Sequence, residues 1–76
     1  MMKYIIFEDF AGEATPVIFP ERIAFEEMRE QIPYTKVLSA GLVGLEQGSV
    51  RTWGRSNQLG LKSLEADSRI IANNLK

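Results

Sequence analysis

The chain contains neither cysteine nor histidine among its 76 residues. Without cysteine it cannot form a disulfide or a thiolate metal site. Without histidine it lacks the commonest metal ligand and the only side chain whose unperturbed pKa lies near neutrality. A Ser–His–Asp triad, a Cys–His dyad and a histidine-rich metal centre are therefore excluded. We accordingly expect a protein that is not an enzyme and that holds no metal and no cofactor.

The common phosphate-binding motifs are also missing, since the chain has no G-x-x-x-x-G-K-[ST] loop and no G-x-G-x-x-G fingerprint. Two carboxylate pairs remain, Glu8-Asp9 and Glu26-Glu27. Paired carboxylates can act as acid and base when one is buried beside the other. Solvated side chains are the alternative, which we prefer for both pairs. An enzyme would need a cleft in which Glu8 or Asp9 has a raised pKa.

Long hydrophobic runs are absent as well. No apolar stretch approaches the roughly 20 residues that span a bilayer, and the apolar run 4–7 ends at once in Glu8-Asp9, unlike a signal peptide. We therefore expect a cytoplasmic protein without a membrane partner. A chain of this length cannot build two hydrophobic cores, so we expect a single domain over residues 1–76.

Charge of neither sign dominates, because the net charge is −1 and the isoelectric point about 5.3. The charges are nevertheless divided unevenly. Residues 1–36 carry four basic and seven acidic side chains, whereas residues 37–76 carry five basic and three acidic ones. The balance is thus −3 in the first part and +2 in the second, an asymmetry that could steer a charged partner.

The pattern that is present is a strand–turn–strand–helix unit that occurs twice, over residues 3–32 and 36–75. In the first unit, residues 3–9 and 15–19 are rich in strand-forming side chains and flank the loop 11–14, which contains Gly12. Pro20 suits the first position of a helix, where its missing N–H costs nothing. Pro33 predicts the end of that helix, because the residue before a proline avoids the α region.

In the second unit, residues 35–45 form the longest predicted strand, and Gly41 and Gly44 within it predict a bulge or bend. Residues 46–49 predict a turn, residues 50–54 the fourth strand, and residues 55–62 an irregular segment. Ser63 predicts the N-cap of the last helix. The short hairpin loops favour antiparallel pairing within each unit.

These elements predict an α+β fold of ββαββα order. It has a four-stranded, mainly antiparallel sheet with both helices packed on one face, and the strand order across the two units is left open. The first strand carries bulky apolar groups on both of its faces, so the uncovered face of the sheet would form an interface. We expect a two-fold homodimer; the alternative is a strongly twisted sheet whose ends wrap around the helices.

The candidate binding residues are Arg51, Trp53, Arg55 and Ser56. Strand alternation places the two arginines and the tryptophan on one face, where they could make cation–π contacts, stack bases or contact a protein partner. The alternative is that Trp53 covers the core and the arginine stems lie along its rim. Ser56, together with Lys62 and Ser63 at a helix start, could also form a generic anion site.

We therefore expect a small non-enzymatic interaction module that self-associates and binds a protein partner. The alternative is a small nucleic-acid-binding protein that uses the basic second half of the chain. The overall acidity weighs against this alternative, because such domains usually have a basic surface.

Three segments carry a resemblance to a known group of proteins. They are Phe7-Glu8-Asp9-Phe10, the stretch 37–41, and the run from Gly54 to Ser63 that precedes Asp67. The opening and the G-x-S-x-x-L-G-L-x-S ending resemble those of small uncharacterised bacterial proteins, often associated with prophages, that have no assigned activity. The resemblance covers most of the chain. It implies a bacterial, phage-derived origin and supplies no functional residues.

Overall fold

The computed structural model describes residues 1–32 and 36–75. Within these ranges the chain forms the following elements: β1 (Met2–Glu8), β2 (Ala14–Pro20), α1 (Phe25–Glu30), β3 (Lys36–Glu46), β4 (Ser49–Trp53), β5 (Arg55–Ser56), β6 (Leu61–Lys62) and α2 (Asp67–Asn74). The predicted α+β class and the doubled ββα order are confirmed, with the small hairpin β5–β6 inserted before the last helix.

The four long strands form one sheet in the order β2-β1-β3-β4, and all three pairings are antiparallel. β1 is the inner strand of the first unit and pairs with β3, the inner strand of the second: Ile5 pairs with Val17 of β2 on one side and with Ala40 of β3 on the other. This position explains the sequence of β1, because an inner strand covered on both faces needs apolar side chains at successive positions.

The two helices cover opposite faces of the sheet, which corrects the prediction that both pack on one face. Ile5 and Phe7 point into a cluster that contains Phe25 of α1, whereas Tyr4 and Ile6 point into a second cluster that contains Ile71 of α2. We call the two sides the α1 face and the α2 face. The physical reason is that consecutive strand residues alternate between faces, so burying both sets requires a cover on each side.

The first helix is shorter than predicted and begins later. Pro20 is the last residue of β2 and not the first of the helix. α1 begins after Ala24, whose extended backbone (φ −69°, ψ 147°) marks the N-cap, and Glu27 Oε1 accepts a hydrogen bond of 3.3 Å from the Ala24 N–H. Phe25 then packs edge-on against Phe19 with ring centroids 5.6 Å apart. The predicted helix end at Pro33 lies outside the described residues.

β3 and β4 are joined by a two-residue turn. Gln47 and Gly48 both have positive φ, at 52° and 80°, which matches the twist of a tight antiparallel hairpin. The predicted bulge is displaced: Gly41 and Gly44 lie in regular pairing, and the register shifts between Ile6 and Phe7 instead.

A second turn follows β4, where Gly54 takes a φ of 79°. The chain then forms the hairpin β5–β6 in the segment predicted to be irregular, and the Ser63 N–H closes it by donating a 3.0 Å hydrogen bond to the Gly54 carbonyl. α2 begins at Asp67, four residues after the predicted cap Ser63. The Asp67 carboxylate instead accepts the Leu64 N–H at 2.9 Å, which stabilises the turn that leads into the helix.

Candidate functional site

The predicted stripe of Arg51, Trp53 and Arg55 is divided in the structure. Arg51 and Trp53 belong to β4 and pair with Gly44 and Leu42 of β3, which places both on the α1 face. Arg55 starts β5 after the Gly54 turn and belongs to a different hairpin. The prediction of one continuous stripe is therefore wrong, because a residue with positive φ interrupts the strand alternation on which it relied.

Trp53 lies against Gly44, whose missing side chain leaves room for the indole. A Cβ atom at Gly44 would lie 3.4 Å from Trp53 Cη2, at ordinary contact distance. Trp53 is half-buried. It lines a groove of about 290 Å³ together with Gly44, Leu45, Glu46 and Arg51. We call this the Trp53 groove; it presents an aromatic ring beside a cation at the surface.

Arg51 can bind an external anion only by giving up its ion pair with Glu46. Its guanidinium donates a 2.5 Å hydrogen bond to Glu46 Oε2 across the β3–β4 hairpin, and both side chains are well exposed. An exposed ion pair of this kind contributes only about 0–1 kcal/mol to stability. Its larger effect is that the rim of the hairpin carries no net charge.

Ser56 lies in the interior, which corrects its expected place beside the exposed cations. It is fully buried, and its hydroxyl oxygen accepts a 3.2 Å hydrogen bond from the Leu59 N–H. Its neighbour Arg55 points outward and faces Lys62 across the hairpin. The hydroxyl therefore holds the turn after β5, while the adjacent arginine remains available at the surface.

An exposed apolar surface appears at one end of the α2 face. Leu45 is 75% exposed and Leu75 is 63% exposed, and both line one groove of about 290 Å³ with Met2 and Ile18. We call these four residues the Leu45 patch. The floor of the groove consists of Val43, Val50 and Ile71, with Gly44 at its side, so among the residues that the structure describes its lining is apolar or glycine.

The Leu45 patch follows from the lengths of the strands. β1 begins at Met2, which pairs with Val43, so the part of β3 beyond Val43 pairs only with β4. Leu45 thus projects from a two-stranded hairpin past the end of the inner strand. α2 reaches this end of the sheet only with its last turn, where Leu75 lies. The pattern of apolar residues could not reveal this, because it does not show which end of a sheet lacks a cover.

A buried polar contact lies at the other end of α2. The Tyr4 hydroxyl donates a 2.5 Å hydrogen bond to Asp67 Oδ2, and both residues are almost wholly inaccessible. Burial of the phenol raises the pKa of Tyr4 far above its usual value, and the hydrogen bond to Asp67 raises this pKa further. The inaccessible position makes this contact a structural element, since no substrate can reach it.

The carboxylate at Asp9 organises a loop. Its Oδ1 accepts hydrogen bonds of 2.9 Å from the N–H groups of Ala11 and Glu13, and its Oδ2 accepts one of 3.1 Å from the Thr15 hydroxyl. The bond from the Glu13 backbone is the main reason that the pKa of Asp9 is lowered. This shift is opposite to the raised pKa that the enzyme alternative required at this position.

Comparison with protein-family models, with curated proteins and with solved structures found no match to this chain. The resemblance to small prophage-associated bacterial proteins therefore stays a prediction. Within residues 1–32 and 36–75, no helix is both long enough and apolar enough to cross a membrane.

Proposed function

We propose that the protein is a small non-enzymatic interaction module that self-associates through the Leu45 patch. One observation carries this proposal. Side chains from five separate parts of the fold, β1, β2, β3, β4 and the end of α2, meet around one groove, and no charged residue among residues 1–32 and 36–75 lines it. Exposed apolar clusters of this kind mark interaction sites on soluble proteins.

A second copy of the chain is the occupant that this chemistry favours. A two-fold interface brings the same patch of both copies together, so the patch must be complementary to itself. An apolar groove satisfies this condition, because it needs no opposite charge on the partner. At the rim, Glu46 and Arg51 neutralise each other within one hairpin, so two copies can approach without net repulsion.

The β2 edge of the sheet favours packing of side chains over extension of the sheet. Pro16 and Pro20 both lie in the outer strand β2. A proline has no N–H to give to an added strand, and proline on an edge strand is a common protection against edge-to-edge pairing. Self-association through the Leu45 patch leaves this edge unused.

A protein partner can be accommodated on the opposite face of the same hairpin, at the Trp53 groove. Trp and Arg are the side chains most enriched at the energetic centres of interfaces. Here the indole of Trp53 and the guanidinium of Arg51 line one groove. Leu45 lines both grooves, but Arg51 and Trp53 lie on the α1 face, away from the α2 face proposed for dimerisation, so these two side chains stay open to a partner. A cytoplasmic location and a bacterial, phage-derived origin remain part of the proposal.

Nucleic-acid binding remains the alternative and has less support. This alternative used the basic second half of the chain, in which the Arg51–Trp53–Arg55 stripe that could stack bases is broken at Gly54 and Arg51 already pairs with Glu46. Cations that follow a phosphate backbone need to lie in a row. The pair of Arg55 and Lys62 is the observation that keeps this alternative open.

Sedimentation velocity across a dilution series tests the proposal. The wild-type chain is expected to approach twice its monomer mass of 8.6 kDa as concentration rises. Leu45→Asp introduces a charge into the apolar interface and should raise the dissociation constant of the dimer by more than about tenfold. Because Leu45 is 75% exposed, the fold should be retained, which circular dichroism checks.

Phe10→Asp provides the matched control. Phe10 is 86% exposed, in the loop between β1 and β2, and does not line the Leu45 patch. Both variants lose one exposed apolar side chain and gain one negative charge, so a general effect of charge would appear equally in both. Equal dimerisation of the wild type and Leu45→Asp, or a wild type that stays monomeric, would contradict the proposal.

A further inference from the structure

Two cations face each other directly across the small hairpin. Arg55 and Lys62 are cross-strand partners in the β5–β6 pairing, and both are exposed. Directly opposed side chains of an antiparallel pair have Cβ atoms about 5 Å apart, a distance at which like charges repel. Within residues 1–32 and 36–75, neither cation has an ion-pair partner. An anion placed between them would remove this repulsion.

The two cations border a groove with an apolar floor. The groove has a volume of about 340 Å³. Its apolar lining comes from Leu38 of β3, Leu61 of β6 and Leu64 before α2, with Gly60 beside them. Small-molecule sites combine an apolar lining with a few placed polar groups and start near 300 Å³. The groove thus has the composition of a site for a small ligand that is charged at one end.

The hairpin that carries the cations is fixed from beneath. Ser56, next to Arg55, is fully buried and bonded to the Leu59 N–H, and Leu61, next to Lys62, packs against the core on the α1 face. The Ser63 N–H closes the hairpin onto the Gly54 carbonyl. The cations therefore project from a backbone that is already fixed, which reduces the conformational entropy that is lost on binding.

The buried Asp67 carboxylate, close to the groove, is already occupied. Asp67 is buried and accepts hydrogen bonds from the Tyr4 hydroxyl and from the N–H of Leu64, a residue that lines the groove. These two donors orient the carboxylate inward, toward the interior of the α2 face. The Asp67 carboxylate therefore does not occupy the outer side of the hairpin, where an external anion can bind.

We propose that the groove formed by Leu38, Leu61 and Leu64 and bordered by Arg55 and Lys62 binds a small apolar carboxylate. The carboxylate lies between the two cations and the apolar part lies on Leu38 and Leu64, because the Leu61 side chain packs against the core on the other side of the hairpin. Both halves of the ligand are required: inorganic phosphate would meet the cations but leave the leucines uncovered. Nucleic acid would bring a row of phosphates to a site with only two facing cations. This site is separate from the Leu45 patch, so the proposal does not depend on self-association.

Amide chemical-shift perturbation with octanoate as the probe tests the site. Saturable shifts are expected at Leu38, Leu61 and Leu64, with weaker binding of octanamide, which lacks the charge, and of inorganic phosphate, which lacks the chain. The double variant Arg55→Gln/Lys62→Gln should weaken octanoate binding by about tenfold or more, as the loss of charge-assisted contacts implies. Arg22→Gln, which removes an exposed cation outside the groove, should leave the binding unchanged.

Three results of the octanoate experiments would overturn the proposal. They are equal binding of octanoate and octanamide, shifts confined to the Leu45 patch, and octanoate affinity that is unchanged in the double variant. Competition by single-stranded DNA that falls steeply with salt would also overturn it, in favour of a phosphate-backbone site.

Leucyl-leucine with a free or an amidated C-terminus distinguishes the source of the carboxylate. Tighter binding of the free dipeptide than of octanoate would identify a peptide C-terminus, and the reverse order would identify an aliphatic acid.

Discussion

The hydroxyl of Tyr4 donates a 2.5 Å hydrogen bond to Asp67 Oδ2, which joins the inner strand β1 to the first residue of α2 across 63 positions of sequence. The contact fixes where α2 begins on the sheet. The same helix ends beside Leu75, a member of the Leu45 patch. One buried polar contact therefore positions the helix whose other end contributes to the proposed interface.

A double-mutant cycle measures this contact. Tyr4→Phe leaves the buried Asp67 carboxylate without its side-chain donor and should lower the free energy of unfolding by about 1–3 kcal/mol. Asp67→Ala should cost a similar amount, because it also removes the acceptor for the Leu64 N–H. The double variant should lose less than the sum of the two, with a coupling of about 1 kcal/mol or more in urea unfolding.

Asp9→Ala combined with Tyr4→Phe is the control cycle. Asp9 accepts its hydrogen bonds within the β1–β2 loop and shares no bond with Tyr4, so the two effects should add. Equal coupling in both cycles would show that the Tyr4–Asp67 hydrogen bond has no specific contribution.

The raised pKa of Tyr4 predicts a loss of stability in alkali. The folded state holds the phenolic proton more tightly than the unfolded state, in which this pKa is about 10. The contribution is therefore fully present below about pH 10 and declines as the pH rises above it, by at most about 1.4 kcal/mol per pH unit. The difference in unfolding free energy between wild type and Tyr4→Phe should shrink over this range. A difference that stays constant to high pH would contradict the prediction.

Gly41 is predicted to tolerate no side chain. A Cβ atom there would lie 2.6 Å from the carbonyl oxygen of Trp53 and 3.3 Å from the ring of Tyr4. Gly41→Ala should therefore displace the end of β4 and lower the free energy of unfolding by about 1–3 kcal/mol, as overpacking does. Gly44→Ala is the matched control, since its Cβ would meet the Trp53 indole only at 3.4 Å.

Tryptophan fluorescence reports on both glycine variants, because Trp53 is the only tryptophan. Gly41→Ala should shift its emission together with the loss of stability, while Gly44→Ala should change stability by much less. The account of the close approach would be wrong if the two variants were equally destabilised.

Local signals in the sequence were sufficient for the strands and their turns. Apolar strand-forming runs separated by Gly12 and by Gln47-Gly48 predicted two antiparallel hairpins, and both are present. The turn at Gln47-Gly48 is specified by two neighbouring residues that adopt positive φ. Such short-range chemistry does not depend on how the rest of the chain packs.

The placement of the helices could not be predicted in the same way. The apolar residues on both faces of β1 were recognised, but they fit either an exposed interface or a second covering helix. The observed placement of the helices depends on the connection from β4 to α2. In this connection Gly54 turns the chain, and the β5–β6 hairpin lies against the part of β3 that β4 leaves unpaired. Ser63 had the right chemistry for an N-cap, but the tertiary contact between Asp67 and Tyr4 fixes the helix start later.

The candidate surfaces were predicted only in part. Strand alternation and residue type identified Trp53 and Arg51 as binding candidates on one face, and they do share a groove. The Leu45 patch had no local signal, because Leu45 and Leu75 read as core residues until the ends of β1 and α2 are known. Arg55 and Lys62 face each other because β5 and β6 pair over two residues each. The periodicity of the sequence does not indicate a pairing this short.

The most direct test of self-association at the Leu45 patch is an isotope-filtered NOE experiment on a mixture of labelled and unlabelled chains, because it detects only contacts between copies. We predict intermolecular NOEs from the Leu45 methyl groups to the side chains of Met2, Ile18 and Leu75, and their loss in Leu45→Asp. Intermolecular NOEs confined to the Trp53 groove, or none at concentrations where the wild type should be dimeric, would contradict the account.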